Sequence, residues 1–490
     1  MVRLGPDTLH RLPAETARPA YDRSAVKRGV VHIGIGAFHR AHQAVVFDDA
    51  LAAGDLRWGI TGVSLRSAGV RDQLVPQHGL YTLVVRDGDH ETTRIIGSVL
   101  DILVGPEDPA AVIAALASPD THIVTLTITE KGYKLDRATE TLVAGDADVD
   151  HDLASLDAPV TAPGFLVAGL AARRRAGLPP FTVISCDNLP DNGRLLRGAV
   201  LAMARAHDPD LAAWIEREGA FPATMVDRIV PATTDADVTA LAARLGVEDR
   251  AMVKTEPFIQ WVIEDRFVGP RPDFAALGVQ LTAEVAPWEA AKLRLLNGAH
   301  SGMAYLGGLA GIAFVHEVVA LSAARRFVEA LWDESAPTLD PPPGLDIAAY
   351  RTALMARFTN PALQHRTRQI AMDGSQKIPQ RLFVPIMARR ARGLPVDTLA
   401  LAVAAWMRWQ GGRADDGSGF TVDDPLAALT AAAVRDDPRA MVEALTAIPA
   451  IFPSALAADE GLKQLLAAKL ATLGTEGARA ALASYAEHPE

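Results

Sequence analysis

The sequence predicts two domains of different class: an α/β domain on a parallel sheet over residues 1–284, and a mostly α-helical domain over residues 285–490. Three observations predict it. Short β-branched runs alternate with helical stretches through the first half, the pattern of a doubly wound sheet. The runs at 30–35, 122–129 and 181–186 are apolar without clean alternation, as in parallel strands covered on both faces. Beyond residue 284 the only strand-like stretch is Arg381–Val384.

Taken in order, the candidate strands are Val30–Ile35, Gly59–Ser64, His122–Thr129, Phe181–Cys186 and Thr224–Val230. Between them the helices are Phe38–Ala53, Pro109–Ala117, Pro163–Ala176 and Asn192–His207. The second domain reads as Pro287–Gly311, Glu317–Trp332, Ile347–Arg357, Leu394–Gln410, Pro425–Val434, Pro438–Ile448 and Gly461–Leu473. The Pro-rich 337–343 and the polar 411–419 read as surface connections.

Composition bounds the function. A chain of 490 residues exceeds one hydrophobic core, and 49% apolar with 22% charged residues is the balance of a soluble globular protein. The formal charge of −11 argues against a nucleic-acid surface. The single cysteine, Cys186, excludes a disulfide framework and a cysteine-rich zinc site. No run of about 18 apolar residues spans a membrane, and the first residues lack the apolar segment of a secretory signal, so a cytoplasmic location is expected. The helical half shows no heptad seam, and a monomer is expected.

The first candidate strand runs into Gly34-Ile35-Gly36-Ala37-Phe38-His39. Two glycines there allow a tight turn and let the backbone approach a pyrophosphate, a Rossmann-type signature, with small Ala37 assisting. His39 stands where a third glycine would allow close helix–strand packing. An ordinary strand–turn–helix fits the same residues. The second strand ends in Ser64, Arg66 and Ser67, with no acid before Asp72 to meet a ribose. That pattern keeps NADP open beside NAD, while Arg66 could also stack on adenine or face water.

The helix from Pro287 carries Lys292, Asn297 and His300. At 100° per residue, Lys292, Leu296 and His300 share one face and Asn297 flanks it. A desolvated lysine can deprotonate an alcohol while an amide and an imidazole bind the developing oxygen. The spacing equally fits polar residues between packed helices. Asn188 follows a strand, at the end where open sheets bind ligands, but Asp187-Asn188-Leu189-Pro190 is also ordinary turn chemistry, and Asp187 could cap the next helix. Asp227 and Arg228 could form an internal ion pair. Arg368, Lys377 and Arg381, with His365 and Arg366 nearby, could clasp an anionic or polyhydroxylated substrate, or form a solvated basic face. No Tyr-x3-Lys pair, GxSxG elbow, Walker loop or convincing metal set appears, which leaves metal-free chemistry with a lysine base.

Together, GIGAFHRAHQ (34–43), TLTITEKGY (125–133), SCDNLPDNG (185–193), FPATMVDRIVP (221–231), WVIEDRF (261–267) and KLRLLNGAHSGMAYLG (292–307) resemble the polyol-specific long-chain dehydrogenases, the mannitol dehydrogenase family. In that family the glycine pattern ends in Phe-His-Arg. The resemblance implies a Rossmann-type dinucleotide-binding domain (1–284) and a helical substrate-binding and catalytic domain (285–490). It implies Lys292 as general base, Asn297 and His300 orienting substrate, Asn188 near the reactive oxygen and nicotinamide, and Asp227 on the substrate. Cofactor contacts then fall to Gly34, Gly36, Ala37, Phe38, Arg66, Thr129 and Asn188, with NAD the expected cofactor and no metal. Arg66 and Ser67 depart from members that prefer NAD through an acid after the second strand. The stretch RTRQIAMDGSQKIPQR (366–381) looks most like the fructuronate reductase, or mannonate oxidoreductase, branch, with Arg368, Lys377 and Arg381 as carboxylate-binding cations. The expectation is interconversion of a secondary alcohol and ketone of an acyclic sugar acid, D-mannonate/D-fructuronate. Mannitol 2-dehydrogenase chemistry is the alternative, and a nucleotide sensor that has lost the chemistry is a third reading.

Overall fold

The β-branched runs of the first half form strands with no solvent-facing side, because alternate residues enter two different cores. The computed structural model describes residues 2–136 and 141–486. The chain divides into two units, Met1–Ala286 and Pro287–Glu490. The strands of the first unit begin with β1 (Val30–Ile33), β2 (Ile60–Ser64), β3 (Tyr81–Asp87), β4 (His90–Ile96), β5 (Val99–Val104) and β6 (Ile123–Leu126). They continue with β7 (Leu135–Asp136), β8 (Thr141–Leu142), β9 (Thr182–Ser185), β10 (Thr224–Asp227), β11 (Val253–Thr255), β12 (Gln260–Glu264) and β13 (Gln280–Thr282).

The central sheet has the order β5-β2-β1-β6-β9 and is parallel throughout. Its order reverses between β1 and β6, which is where sheets of this class open a crevice at their C-terminal edge. Val30, Ile60, Ile123 and Ile184 point to the core shared with the helix Gln43–Ala52. Val31, Val63, Val124 and Val183 point to the core shared with the helices Pro109–Ala117, Ala162–Arg175 and Asn192–His207. The first and last of those three helices have the bounds that the sequence predicts, each with a Pro or Asn at its first position.

Among the described residues there are three smaller sheets, β11-β3-β4, β10-β12-β13 and β7-β8; the predicted strand Thr224–Val230 ends at Asp227 and pairs antiparallel with β12, outside the central sheet. β3 and β4 form a hairpin closed by Gly88 and Asp89, with Asp87 paired to His90. The predicted helix Phe38–Ala53 is two pieces, Ala37–Ala41 and Gln43–Ala52, separated at His42, whose backbone angles are not helical.

In the second unit, every residue of the helix Gly298–Leu309 is buried. The helices Ser322–Ser335, Thr367–Ala371 and Asp397–Trp409 pack on it. Arg381–Val384 is not a strand. It belongs to a wide π-helical turn, Pro379–Phe383, continuing into the helix Val384–Arg390. A lone strand among helices would have no neighbour for its backbone hydrogen bonds. Among the described residues, no helix is long and apolar enough to cross a membrane.

At Gly308 the central helix comes close to Trp409: a Cβ there would lie 2.7 Å from the indole ring. Gly308→Ala gains about 1 kcal/mol of helix propensity, but overpacking a filled core costs about 1–3 kcal/mol. The variant is therefore expected to be less stable in urea unfolding, and a raised midpoint would contradict this packing.

Candidate active site

The end of β1 is shaped by one close contact. Gly34 has φ of +99°, and a side chain there would drive its Cβ to 2.1 Å from the carbonyl oxygen of Thr127. Gly36 differs: no protein atom except the Gly34 carbonyl lies within 4 Å of where its Cβ would stand, and Gly36 is exposed. The first glycine is thus required by the protein, while the second keeps a space open above the turn. An approaching pyrophosphate needs that arrangement. Ala37 and Phe38 are partly exposed at the start of the following short helix, and Phe38 stacks on His42.

His39 does not merely replace a glycine. Its ring lies flat against His32 of β1, with centroids 3.3 Å apart and planes 10° from parallel. His32 Nε2 faces the Gly34 carbonyl at 3.1 Å, and a carbonyl can only accept, so Nε2 carries the proton. The Thr125 hydroxyl then donates to Nδ1 at 2.7 Å, and Thr127 Oγ1 donates to the same Gly34 carbonyl at 2.7 Å. Burial pushes His32 down to about 3 and His39 well below the ordinary imidazole range, with His32 adding to the effect on His39. The stack is a pair of neutral rings.

β6 ends at Leu126, and the predicted strand to Thr129 stops there because the chain turns sharply. Thr129 has φ of +65° and ψ of 165°, a corner otherwise used by glycine, and its side chain is exposed. Such a conformation costs about 1–3 kcal/mol. It is held by Asp187, whose Oδ1 accepts from Thr129 N at 2.9 Å and Oδ2 from Ile128 N at 3.2 Å. Asp187 therefore does not cap the helix Asn192–His207, whose N-cap is Asp191. Asn188 is exposed just beyond β9. Arg66 is exposed just beyond β2, where Ser64 Oγ donates to the Ser67 carbonyl at 2.7 Å. Asp227 is buried at the end of β10. Arg228 reaches away to backbone, donating to the carbonyls of Ala41 at 2.5 Å and Glu256 at 2.9 Å.

In the second unit, Lys292–Asn297 is a π-helical turn inside an otherwise α-helical segment, Ala286–Leu309. Its i→i+5 bonding inserts one residue, so Asn297 comes above Lys292 instead of beside it, correcting the α-helical reading of that face. Lys292 and His300 are each 5% exposed, and Asn297 is partly exposed. The His300 ring lies 4.8 Å from Phe358 and 5.0 Å from His365. Burial, then the charges of His365, Arg357, Arg381 and Lys292, hold His300 well below the ordinary imidazole range. It is a neutral imidazole with arginines nearby, and its neighbour His365, held down to about 4 by burial, is neutral as well.

Arg381 comes from the second π turn, Pro379–Phe383, and its Nη1 donates to Ser301 Oγ at 3.1 Å. Its carbonyl lies 3.3 Å from where a Cβ on Gly298 would stand, so the two π turns meet at a glycine. Burial pushes the Arg381 guanidinium down to about 10 and lowers Lys377, on which Arg381 also acts. Lys377 Nζ donates to the Met372 carbonyl at 2.6 Å and lies 3.5 Å from Asp373. Arg368 parts from this pair. It stands over the Phe420 ring at 5.2 Å and lines a cavity of about 200 Å³ with Gln369, Met372, Trp409 and Asp423. Sequence reasoning misses Arg357 and reads Asp187 only as a turn or cap residue, because neither sits in a pattern that marks its side chain as inward-facing. Among the described residues, no group of three or more His, Cys, Asp or Glu side chains could hold a metal ion.

A parallel sheet with an open glycine turn at its switch point, together with a helical unit carrying a buried lysine on a π turn and a buried histidine on the helix that follows, fits a two-domain oxidoreductase. The chain belongs to the mannitol dehydrogenase family: residues 28–276 match the mannitol dehydrogenase Rossmann domain and residues 284–473 the mannitol dehydrogenase C-terminal domain. It is 46% identical over 417 residues to the D-mannonate oxidoreductase of Escherichia coli K12, covering 84% of this chain and 86% of that one. It is 43% identical over 476 residues to a mannitol 2-dehydrogenase of Pyrenophora tritici-repentis, covering 96% and 83%. The structure is similar to Pseudomonas fluorescens mannitol 2-dehydrogenase in a ternary complex with NAD and D-mannitol, with TM-score 0.86, 38% identity and full coverage of both chains.

The neutral His32–His39 stack makes stability depend on acid. The folded pKa of His32, about 3, lies below its unfolded value of 6.5, so the unfolded chain binds more protons once pH drops below 6.5. Stability is expected to be full above that value and to fall as pH is lowered toward about 3. Urea midpoints across this range should decline less steeply in His39→Leu; an unchanged slope would show that the stack carries no such linkage.

Proposed function

We propose that the chain interconverts a secondary alcohol and the matching ketone of an acyclic sugar acid, D-mannonate and D-fructuronate, with NAD as cofactor. The observation that carries this reading is the set around the two π turns: buried Lys292 and partly exposed Asn297 on the first, buried His300 on the helix that follows it, and Arg381 on the second, with Lys377 just before it. NAD, when bound, supplies a nicotinamide ring that exchanges hydride with the alcohol carbon. Gly34, Gly36, Ala37, Phe38 and Thr129 are assigned to holding it, since the turn leaves space only above Gly36.

Lys292 takes the hydroxyl proton during oxidation and returns it to the oxygen during reduction. Asn297, one π turn above, and Asn188 donate to the oxygen as its charge changes. His300 is neutral, so it offers one donor and one acceptor to a neighbouring hydroxyl pair without adding charge. Asp227 is assigned to a further hydroxyl. Arg381 and Lys377 are assigned to the carboxylate, because a planar guanidinium matches it in a bidentate contact. Arg368, over Phe420 and facing its own cavity, is the least supported of the three cations.

The similarity to a relative bound to D-mannitol favours a second reading, mannitol and fructose as the substrate pair. Following nicotinamide absorbance with fructuronate and NADH, then with mannitol and NAD, separates the two; equal rates with NADPH would reassign Arg66 to a 2′-phosphate. Lys292→Ala is expected to lower turnover by about 10²–10⁴-fold while NADH still binds, and near-native turnover in that variant would end the mechanism. Gly36→Ala should fold with native stability yet bind NADH more weakly by fluorescence titration, because its Cβ enters only the open space.

A further inference from the structure

Asp187 carries a hydrogen-bond load that none of the roles above explains. Besides Ile128 N and Thr129 N, its Oδ2 accepts from the Tyr133 hydroxyl at 2.9 Å, and that hydroxyl also meets Ser185 Oγ of β9. The backbone of Asp187 is held as well: its N–H donates to Ser185 Oγ at 3.3 Å and its carbonyl accepts from Asn192 Nδ2 at 3.1 Å. Asn192 in turn grips β10, donating to the Thr224 carbonyl at 2.9 Å and accepting from Thr224 N at 3.0 Å. One carboxylate thus joins the ends of β6 and β9, and one amide joins β9 to β10.

Packing accounts for Ile128 and Tyr133 of this segment, which meet the core, but not for the conformation of Thr129 between them. Thr129 is β-branched, sits in a glycine corner of backbone space, and leaves its side chain exposed. A joint needed only for stability would be met by glycine at this position. Strain imposed on an exposed residue, beside the strand whose neighbour ends in the Gly34 turn, fits a wall shaped for a ligand.

We infer that Asp187 is a positioning residue for the dinucleotide, acting through Thr129 and the segment from Ile128 to Tyr133. The inference rests on reading the first unit as NAD-binding. Burial raises the Asp187 pKa, yet two backbone N–H groups and a phenol keep it an acceptor. An asparagine would turn an NH2 group toward one of those donors.

The test compares Asp187→Asn with Asp152→Asn. Asp152 is a fully buried carboxylate that accepts from Val160 N, Thr161 N and Thr161 Oγ1 and meets His151 Nδ1 at 3.0 Å, at a joint that involves neither β6 nor β9. NADH binding is read by fluorescence titration of the full chain, with thermal unfolding measured in parallel. Asp187→Asn is expected to raise the Kd about tenfold and Tyr133→Phe about threefold, while Asp152→Asn stays within about twofold at a comparable loss of Tm. An Asp187→Asn Kd within about twofold of native, or an equal rise in Asp152→Asn, overturns the inference. If Asp187→Asn does not fold, Tyr133→Phe decides: a native Kd there overturns it. No NADH binding by the native chain overturns the cofactor reading and this inference together, whereas native binding untouched in the variants overturns the inference alone.

Discussion

The first unit depends on how near β1 comes to the chain leaving β6. With only 2.1 Å between the Thr127 carbonyl and a hypothetical Cβ on Gly34, the two strand ends meet backbone to backbone. That approach fixes where β1 stops, and so where the turn opens. It also buries polar groups that must be satisfied. His32 does this with one ring, giving its proton toward the Gly34 carbonyl and taking one from Thr125. Close helix–strand packing, elsewhere secured by a third glycine, is here secured by two flat neutral rings at 3.3 Å. A charged imidazole could not occupy that place without losing its hydration, which is why the site stays neutral.

The second unit meets a related constraint on a helix. Lys292 opens a π turn and Asn297 closes it, so the inserted residue changes the face Asn297 occupies relative to Lys292, and His300 follows on the regular helix. A π turn loses regular hydrogen-bond geometry and survives only where packing holds it. Here a second π turn faces it, and Gly298 lets the Arg381 backbone come close. The fully buried helix Gly298–Leu309 then keeps His300 and Ser301 in fixed positions.

Much of this was legible in the residues. The parallel strands could be read because burial on both faces leaves continuous apolar runs, and Pro109–Ala117 and Asn192–His207 because their starts carry standard first-turn residues. The hairpin of β3 and β4 announces itself through Asp87-Gly88, a turn signal that went unread amid the charged residues around it. The π turns were not legible, since the 3.6-residue period assumed for a helix hides an inserted residue. Asp187 looked like turn chemistry because its partners, Ile128 and Thr129, lie 58 or more residues away in sequence. Arg357 gave no signal at all, because the helix Ile347–Thr359 has no clear apolar face and tertiary packing alone decides which side chains turn inward.

Charge placement bears most directly on substrate. The chain is acidic, with a net charge of −11, yet the interior around His300 gathers His365, Arg357, Arg381 and Lys292. Of these groups His365 is itself held down to about 4 by burial and is neutral, but two guanidiniums brought together inside a protein are unfavourable, and burial already weakens the hold of Arg381 on its proton. A neutral polyol would give these groups hydrogen bonds but leave the repulsion among them in place. A carboxylate would offset it and would recover part of the desolvation at Arg381. The same arrangement works against a second charge on His300, which is then free to act as a neutral partner to a hydroxyl. The sugar-acid substrate proposed above draws on the same physics: Arg381, which would meet the carboxylate, is among the groups that keep His300 uncharged.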